Sequence, residues 1–257
     1  MTKNNNIFKL LNNHKNMILK IAHRGASGIE PENTLRSFKK AIELHADMIE
    51  CDVHLTKDNH AVIIHDETLN RTTNGAGPVS HYTLKQIKTF NAGRGEKIPK
   101  VQEVINLVKG KCKLNLEIKG KKPAQEVAKI ISKKKAESFT IVSGNSVKAL
   151  QEIKKINPKI KTALVFLATK TDIGQILFDI IARIFLPITR KVIVKRARKA
   201  KVQAISLGKT LATKRTIDYL HRNKLKVYLW TLNKKKDIIK YQSRNVDGIF
   251  SNYPDRF

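Results

Sequence analysis

"MIECDVHLTKDNHAVIIHD", residues 48–66, holds two apolar runs joined by a short polar link. Both runs, "MIECDVHL" (48–55) and "AVIIHD" (61–66), are β-branched enough to read as strands. A crossover between parallel neighbours takes about a dozen residues or more, and "KDNH" is far too short for one. The two runs must therefore form an antiparallel hairpin. Elsewhere the chain offers "MILKIAH" (17–23), "KLNLEIK" (113–119), "SFTIVS" (138–143), "KTALVFL" (161–167), "VQAISL" (202–207), "KVYLWTL" (226–232) and "DGIFS" (247–251). Amphipathic helices separate these runs, and strands alternating with helices argue for a parallel sheet. That makes nine strand candidates, and setting one hairpin partner aside leaves eight. Eight parallel strands predict a TIM-type (β/α)8 barrel with an extra hairpin strand near its mouth. The length of 257 residues suits one such barrel as a single domain, 1–257. A doubly wound open sheet is the alternative.

Pro31 is expected to open the first helix, "PENTLRSFKKAIELHA", with Leu35, Phe38, Ala41, Ile42 and Ala46 on one face. The stretch 67–99 is rich in Gly, Asn and Thr and reads as an inserted loop with one short helix at "TLKQIK". The stretch 168–201 reads as a long connection, first apolar and then basic.

Lysine and arginine number 51 against 21 acids, a formal net charge of +30. Such a field attracts polyanions. The lysines are scattered along the whole chain ("KGKK", "SKKKA", "NKKKD"), as they are when they coat exposed helix faces. Aromatics make up only 6% and no binding motif interleaves them with basic residues, so nucleic acid is not an expected partner. The two cysteines, Cys51 and Cys112, make no disulfide framework. The start, "MTKNNNIFKLLNNHKNM", does not read as a secretory leader, and no run is long and apolar enough to span a bilayer. The expected setting is the cytoplasm.

Scarce acids make three of them conspicuous. Glu50 and Asp52 share one face of an apolar strand, and Glu117 repeats the theme in "LNLEIK". Carboxylates on one buried face repel unless a cation sits among them. Three of them suit one divalent cation, Mg²⁺ or Ca²⁺. If "KDNH" is the turn, Thr56 pairs with Ala61 and Asp52 stands across from His65. His23 ends the first strand, with Arg24 beside it, and barrel strand ends converge on one mouth. Lys119 lies on the same side as Glu117. Two imidazoles, two cations and a metal suit hydrolysis of a phosphodiester.

These residues resemble the glycerophosphodiester phosphodiesterase family. The resemblance rests on "AHRGASGIEPENTLRSFKKAIELHADMIECDVHLTKDNHAVIIHD", "LNRTTNGAGPV", "LNLEIK", "YLWTLN" and "VDGIFSNYPDRF", spanning essentially residues 20 to 257. It implies a barrel with a small insertion after the strand carrying His65, and cleavage of glycerophosphodiesters to glycerol 3-phosphate and an alcohol. By position, His23 and His65 would be the acid–base pair. Glu50, Asp52 and Glu117 would bind metal, Arg24 and Lys119 phosphate, and Trp230 would line the mouth. Glu32 and Asn33 of "PENT" would brace the first loop. One departure is "VSGNS", where the family has Ser followed by an aromatic; Gly144 is expected to open space in the wall.

Rival readings are a lysophospholipase D, a phospholipase-C-like or sphingomyelinase-D-like enzyme that acts on lipid diesters, and a non-enzymatic basic barrel that binds polyanions or membrane. In residues 171–201, Ile173, Ile176, Leu177, Ile180, Ile181, Ile184, Phe185 and Ile188 fall at helical spacing, followed by a basic run. An ordinary barrel helix accounts for this stripe. The sharper reading is peripheral contact with an anionic membrane. Oligomeric state has no signature in the sequence.

Overall fold

The computed structural model describes residues 18–166 and 180–257. Its strands are β1 (Leu19–His23), β2 (Met48–Leu55), β3 (Ala61–Ile63), β4 (Lys113–Ile118), β5 (Thr140–Gly144), β6 (Lys161–Phe166), β7 (Ala204–Gly208), β8 (Lys226–Trp230) and β9 (Gly248–Ser251). Around the sheet the order is β1, β9, β8, β7, β6, β5, β4, β2, and pairing of β1 with β2 closes the ring. All of these neighbours are parallel. The result is the expected eight-stranded barrel. β3 stands outside it, antiparallel to β2.

The hairpin sets the shape of the mouth. On one edge of β2, β1 takes Met48 to Glu50 and β3 takes Val53 to Leu55. β3 therefore extends the wall beyond the end of β1. Its register is one residue off the expected one: Leu55 pairs with Ala61 and His54 with Val62. The turn explains the slip. Thr56 N–H donates to the His60 carbonyl, and Thr56 Oγ1 donates to Asp58 at 2.6 Å and accepts from His60 N–H at 2.9 Å. Thr56 thus closes the turn opposite His60, and Asn59 adopts the left-handed conformation common in three-residue hairpin links. Asp52 consequently faces Ile64, whose N–H donates to the Asp52 carbonyl, rather than His65. His65 lies beyond the end of β3.

The helices are α1 (Leu35–Glu43), α2 (Leu84–Ile87), α3 (Val101–Val108), α4 (Pro123–Lys133), α5 (Val147–Ile156), α6 (Leu186–Ala200), α7 (Lys214–Arg222) and α8 (Lys235–Gln242). α1 begins at Leu35, not at Pro31. Thr34 caps it, accepting from Ser37 N–H while the Ser37 hydroxyl receives the Thr34 N–H, and Pro31 to Asn33 form a turn ahead of the cap. The stretch 67–99 is better packed than a loop. Leu69, Val79, Ile87, Ala92 and Ile98 bury themselves with Val62 and Ile64 in a cluster of their own.

Pleating separates two layers of core. Outward strand residues pack under the helices in two large clusters. Inward residues Ile21, Met48, Ile141, Ala163, Tyr228 and Phe250 fill the barrel floor. The next inward residues are His23 on β1, Glu50 and then Asp52 on β2, and Asn115 and then Glu117 on β4. Charge therefore sits directly on an apolar floor at the C-terminal mouth.

Phe38 is fully buried and packs α1 against the turn that follows β1. Phe38→Ala should lower the unfolding free energy by about 3–5 kcal/mol. Urea unfolding measures it, and a loss below about 1 kcal/mol would mean that α1 is not seated by this contact.

Candidate active site

The site begins where β1 stops. Arg24 and Gly25 both have positive φ, so the chain reverses at once behind His23. Glycine is required here: a Cβ on Gly25 would collide with Ser37 Oγ and lie 2.8 Å from the Ser37 carbonyl carbon. The turn aims the Arg24 N–H at Glu50 Oε2, 2.9 Å away. The "PENT" turn completes the brace. Asn33 N–H donates to the Arg24 carbonyl, and Asn33 Nδ2 donates to Asp52 Oδ2 at 2.9 Å.

Glu50 and Asp52 are each 1% exposed, and one carboxylate oxygen from each of Glu50, Asp52 and Glu117 lies within 4.8 Å of the others. Lys119 Nζ bridges Asp52 Oδ1 at 2.8 Å and Glu117 Oε1 at 2.6 Å. Arg24 Nε approaches Asp52 Oδ2 at 3.5 Å while its Nη1 donates to Glu32 at 3.0 Å. The two expected phosphate-binding cations are thus anchored by acids at the same mouth. Burial pushes the Asp52 carboxyl up, but Lys119 and Arg24 outweigh it and hold the group well below the ordinary carboxylate range. Glu50 goes the other way: burial, then the charges of Asp52 and Glu117, push it well above that range.

Glu50 is where the donor set asks for a cation. Its Oε1 is buried without a hydrogen-bond partner. An orphaned carboxylate oxygen facing two further carboxylates fits a hard divalent ion that prefers oxygen ligands.

The two histidines are held by different partners. His23 Nδ1 lies 2.7 Å from Asn252 Oδ1, and its Nε2 lies 4.0 Å from Glu50 Oε2. Burial, then Arg24, lowers the His23 pKa to about 4. His65 Nδ1 lies 2.6 Å from Asp66 Oδ1. Arg71 clamps Asp66 and Glu32 together, with Nε 2.7 Å from Asp66 and Nη2 2.8 Å from Glu32, and its hydrogen bond lowers Asp66 to about 2. The His65 carbonyl faces His54 Nε2 at 3.0 Å. Sequence reading missed Asn252, Asp66 and Arg71. For Asp66 there was a signal, its place directly after His65.

A cavity of about 210 Å³ opens among these groups. His23, Arg24, Asp52, His65, Glu117 and Lys119 line one side. Trp230, Phe250, Val165 and Ser206 line the other. Glu50 lies beneath. All eight residues expected from sequence therefore come together at one mouth. Gly144 does not open the wall as expected. It points away from the cavity, and a Cβ there would stand 3.1 Å from Ile118 Cγ1 and 3.2 Å from the Ile118 carbonyl oxygen. The glycine permits close approach of β5 to β4, and its neighbour Ser143 takes the inward position.

Residues 23–256 match the glycerophosphoryl diester phosphodiesterase family. A glycerophosphodiester phosphodiesterase of Caldanaerobacter subterraneus subsp. tengcongensis is 34% identical, covering 92% of this chain and 95% of its own. Among solved structures, a glycerophosphodiester phosphodiesterase of Agrobacterium tumefaciens superposes with a TM-score of 0.77 at 24% identity, covering 94% and 99% of the two chains. An Oleispira antarctica phosphodiesterase, in complex with the product sn-glycerol-3-phosphate, gives 0.78 at 24% identity, covering 92% and 93%.

The electrostatics of Glu50 yield a test that needs no turnover. Mg²⁺ or Ca²⁺ should raise the melting temperature of the wild-type protein over its value in chelator. Glu50→Gln should melt no lower than wild type in chelator, because it removes a buried repelled charge, and should lose most of the cation-induced rise. An undiminished rise in the variant would take Glu50 out of the cation site.

Proposed function

The chain belongs to the glycerophosphoryl diester phosphodiesterase family, and from that premise we propose that it hydrolyses glycerophosphodiesters to sn-glycerol 3-phosphate and an alcohol. The observation that carries this reading is the convergence of His23, His65, Arg24 and Lys119 on one small cavity above three carboxylates. The product bound to the Oleispira antarctica structural neighbour supports the choice of substrate.

Glu50, Asp52 and Glu117 would hold a divalent cation, Mg²⁺ or Ca²⁺, which neutralises phosphate charge when bound. Lys119 and Arg24 reach the same cavity, and their acidic partners keep them charged while they meet the phosphate oxygens. Trp230 and Phe250 offer an apolar wall to the glycerol carbons. The histidines divide the proton work by their partners. A carbonyl oxygen at His23 Nδ1 keeps the proton on that nitrogen and leaves Nε2 as a lone pair, which suits a base that takes a proton from the attacking hydroxyl. A carboxylate at His65 Nδ1 pairs with the positive charge of a protonated ring, which suits an acid that gives its Nε2 proton to the departing alcohol oxygen. The attacking hydroxyl is water or the substrate's own 2-hydroxyl, and phosphorus NMR of early products distinguishes the two by the cyclic phosphate that only the second forms.

The reading is tested by release of glycerol 3-phosphate from glycerophosphocholine and glycerophosphoethanolamine, with and without chelator. Chelation should abolish turnover, and full activity in chelator would reject the metal. His23→Ala and His65→Ala should each lower kcat by about 10²–10⁴ at unchanged melting temperature. A substrate with a p-nitrophenyl leaving group, which departs without a proton, should recover most of the His65→Ala loss and little of the His23→Ala loss. Equal recovery in both variants would overturn the division of roles.

A further inference from the structure

The segment leading into β7 carries a surface that the barrel does not use. Residues 180–184 are helical, and α6 follows after a break at Phe185. Ala182, Thr189, Ile193, Val194, Ala197 and Ala200 pack it inward and are buried. Six large apolar residues point out. Ile180, Ile181, Ile184, Phe185, Ile188 and Val192 are exposed, Ile184 at 68% and Ile188 at 60%. Six of the eight exposed large hydrophobic side chains among the described residues fall in this one stretch. Clustering of that kind marks a contact surface rather than ordinary scatter.

Its surroundings are basic. From 180 to 201 the sequence has no acid, and Lys191, Lys195 and Lys199 are exposed along α6 below the apolar end. Arg183, within the apolar stretch, also borders a cleft of about 430 Å³. Lys209, Lys214, Lys240 and Arg244 line the same cleft, with Asp237 as its acid. The cleft is a firm structure: the Tyr241 hydroxyl donates to the Lys209 carbonyl, and Arg244 stacks over the Tyr241 ring at 4.8 Å while donating to the Ala212 carbonyl. It lies at the mouth end of the barrel. Lys209 directly follows Gly208, the last residue of β7, which pairs with Trp230 in the cavity wall.

We propose that this face docks reversibly on an anionic lipid surface. The isoleucines and Phe185 enter the headgroup boundary, and the cleft receives lipid phosphates. The charge decides among occupants. A second copy of this chain would bring the same lysines face to face. A nucleic acid would leave the exposed isoleucines in water. An anionic bilayer meets both features at once. No helix among the described residues is long and apolar enough to cross a membrane, so the contact is peripheral. Docking holds the mouth against the bilayer, and under the reaction proposed above it favours lysophospholipids over soluble diesters.

The test is co-sedimentation with vesicles of phosphatidylglycerol and phosphatidylcholine against phosphatidylcholine alone, at low and high salt. Two variants separate the features: Ile184→Ser with Phe185→Ser, and Lys209→Gln with Lys240→Gln. Wild type should bind the anionic vesicles at low salt and release them at high salt. Each double variant should bind at least about tenfold more weakly. Both should retain wild-type turnover of glycerophosphocholine while losing any excess rate on lysophosphatidylcholine in anionic vesicles. No binding at low salt, equal binding to both vesicles, or unchanged binding by either variant would overturn the proposal. So would a concentration-dependent dimer that the Ile184→Ser, Phe185→Ser variant dissolves. Vesicle binding without turnover of any diester would uphold the docking surface and reject the reaction instead.

Discussion

Asp52 is a fully buried carboxylate, and the mouth of the barrel is organised around keeping it charged. Its two oxygens meet Lys119 Nζ, Arg24 Nε and Asn33 Nδ2. A buried charge costs several kcal/mol unless it is paired and hydrogen-bonded. Each partner arrives on a different piece of backbone. Arg24 needs the left-handed turn after β1, Asn33 needs the turn ahead of α1, and Lys119 stands just past the end of β4. One ionised side chain thus couples three loops to one strand. The glycine at 25, the cap at Thr34 and the burial of Phe38 all hold those loops in register with it.

The same arrangement leaves Glu50 in the opposite condition. It receives the Arg24 amide on one oxygen and nothing on the other. Two adjacent carboxylates on one strand therefore have divided fates, one saturated with cations and one wanting them. That division lets a site be folded before any ion is bound, yet still gain from one. Glu117 completes the group from the neighbouring strand and shares Lys119 with Asp52.

Much of this was legible in the sequence, for identifiable reasons. The barrel followed from the shortness of the link between residues 55 and 61, because chain length alone forbids a parallel crossover there. The acids stood out because acids are scarce and their neighbours apolar. What failed were details decided by local hydrogen bonds. Thr56 closes the hairpin turn and shifts the pairing by one residue. Thr34, rather than Pro31, starts α1 because its hydroxyl can cap and the proline cannot. Gly144 faces β4 because pleating fixes which side it takes. Asn252 could not be found by spacing at all, since it meets His23 from the far end of the chain. In the apolar stretch after β6, Ile180, Ile181, Ile184, Phe185 and Ile188 are exposed while Ala182, Thr189, Ile193 and Val194 are buried, so spacing alone did not say which side faces the barrel. Ile173, Ile176 and Leu177, which begin that stripe, lie outside the described residues.

Size carries the argument one step further. A cavity of about 210 Å³ is smaller than the roughly 300–1,000 Å³ of typical ligand pockets. It is polar on one side and apolar on the other, so it suits one compact group such as a glycerol phosphate. In the proposed reaction the departing alcohol then extends past His65, the acid that protonates it. The wall on that side is the hairpin and the packed segment 67–99, while the segment 180–192 stands with the β7 and β8 side of the mouth. Preference among leaving groups would therefore be set outside the cavity, by whatever surface the rim presents. The segment 180–192 lies across the mouth from that exit, so under the docking proposal it would act by holding the mouth against a lipid surface rather than by touching the alcohol. The chemistry of the barrel floor and the choice of substrate would then be separable, because the residues that line the cavity around Asp52 include none of 180–192.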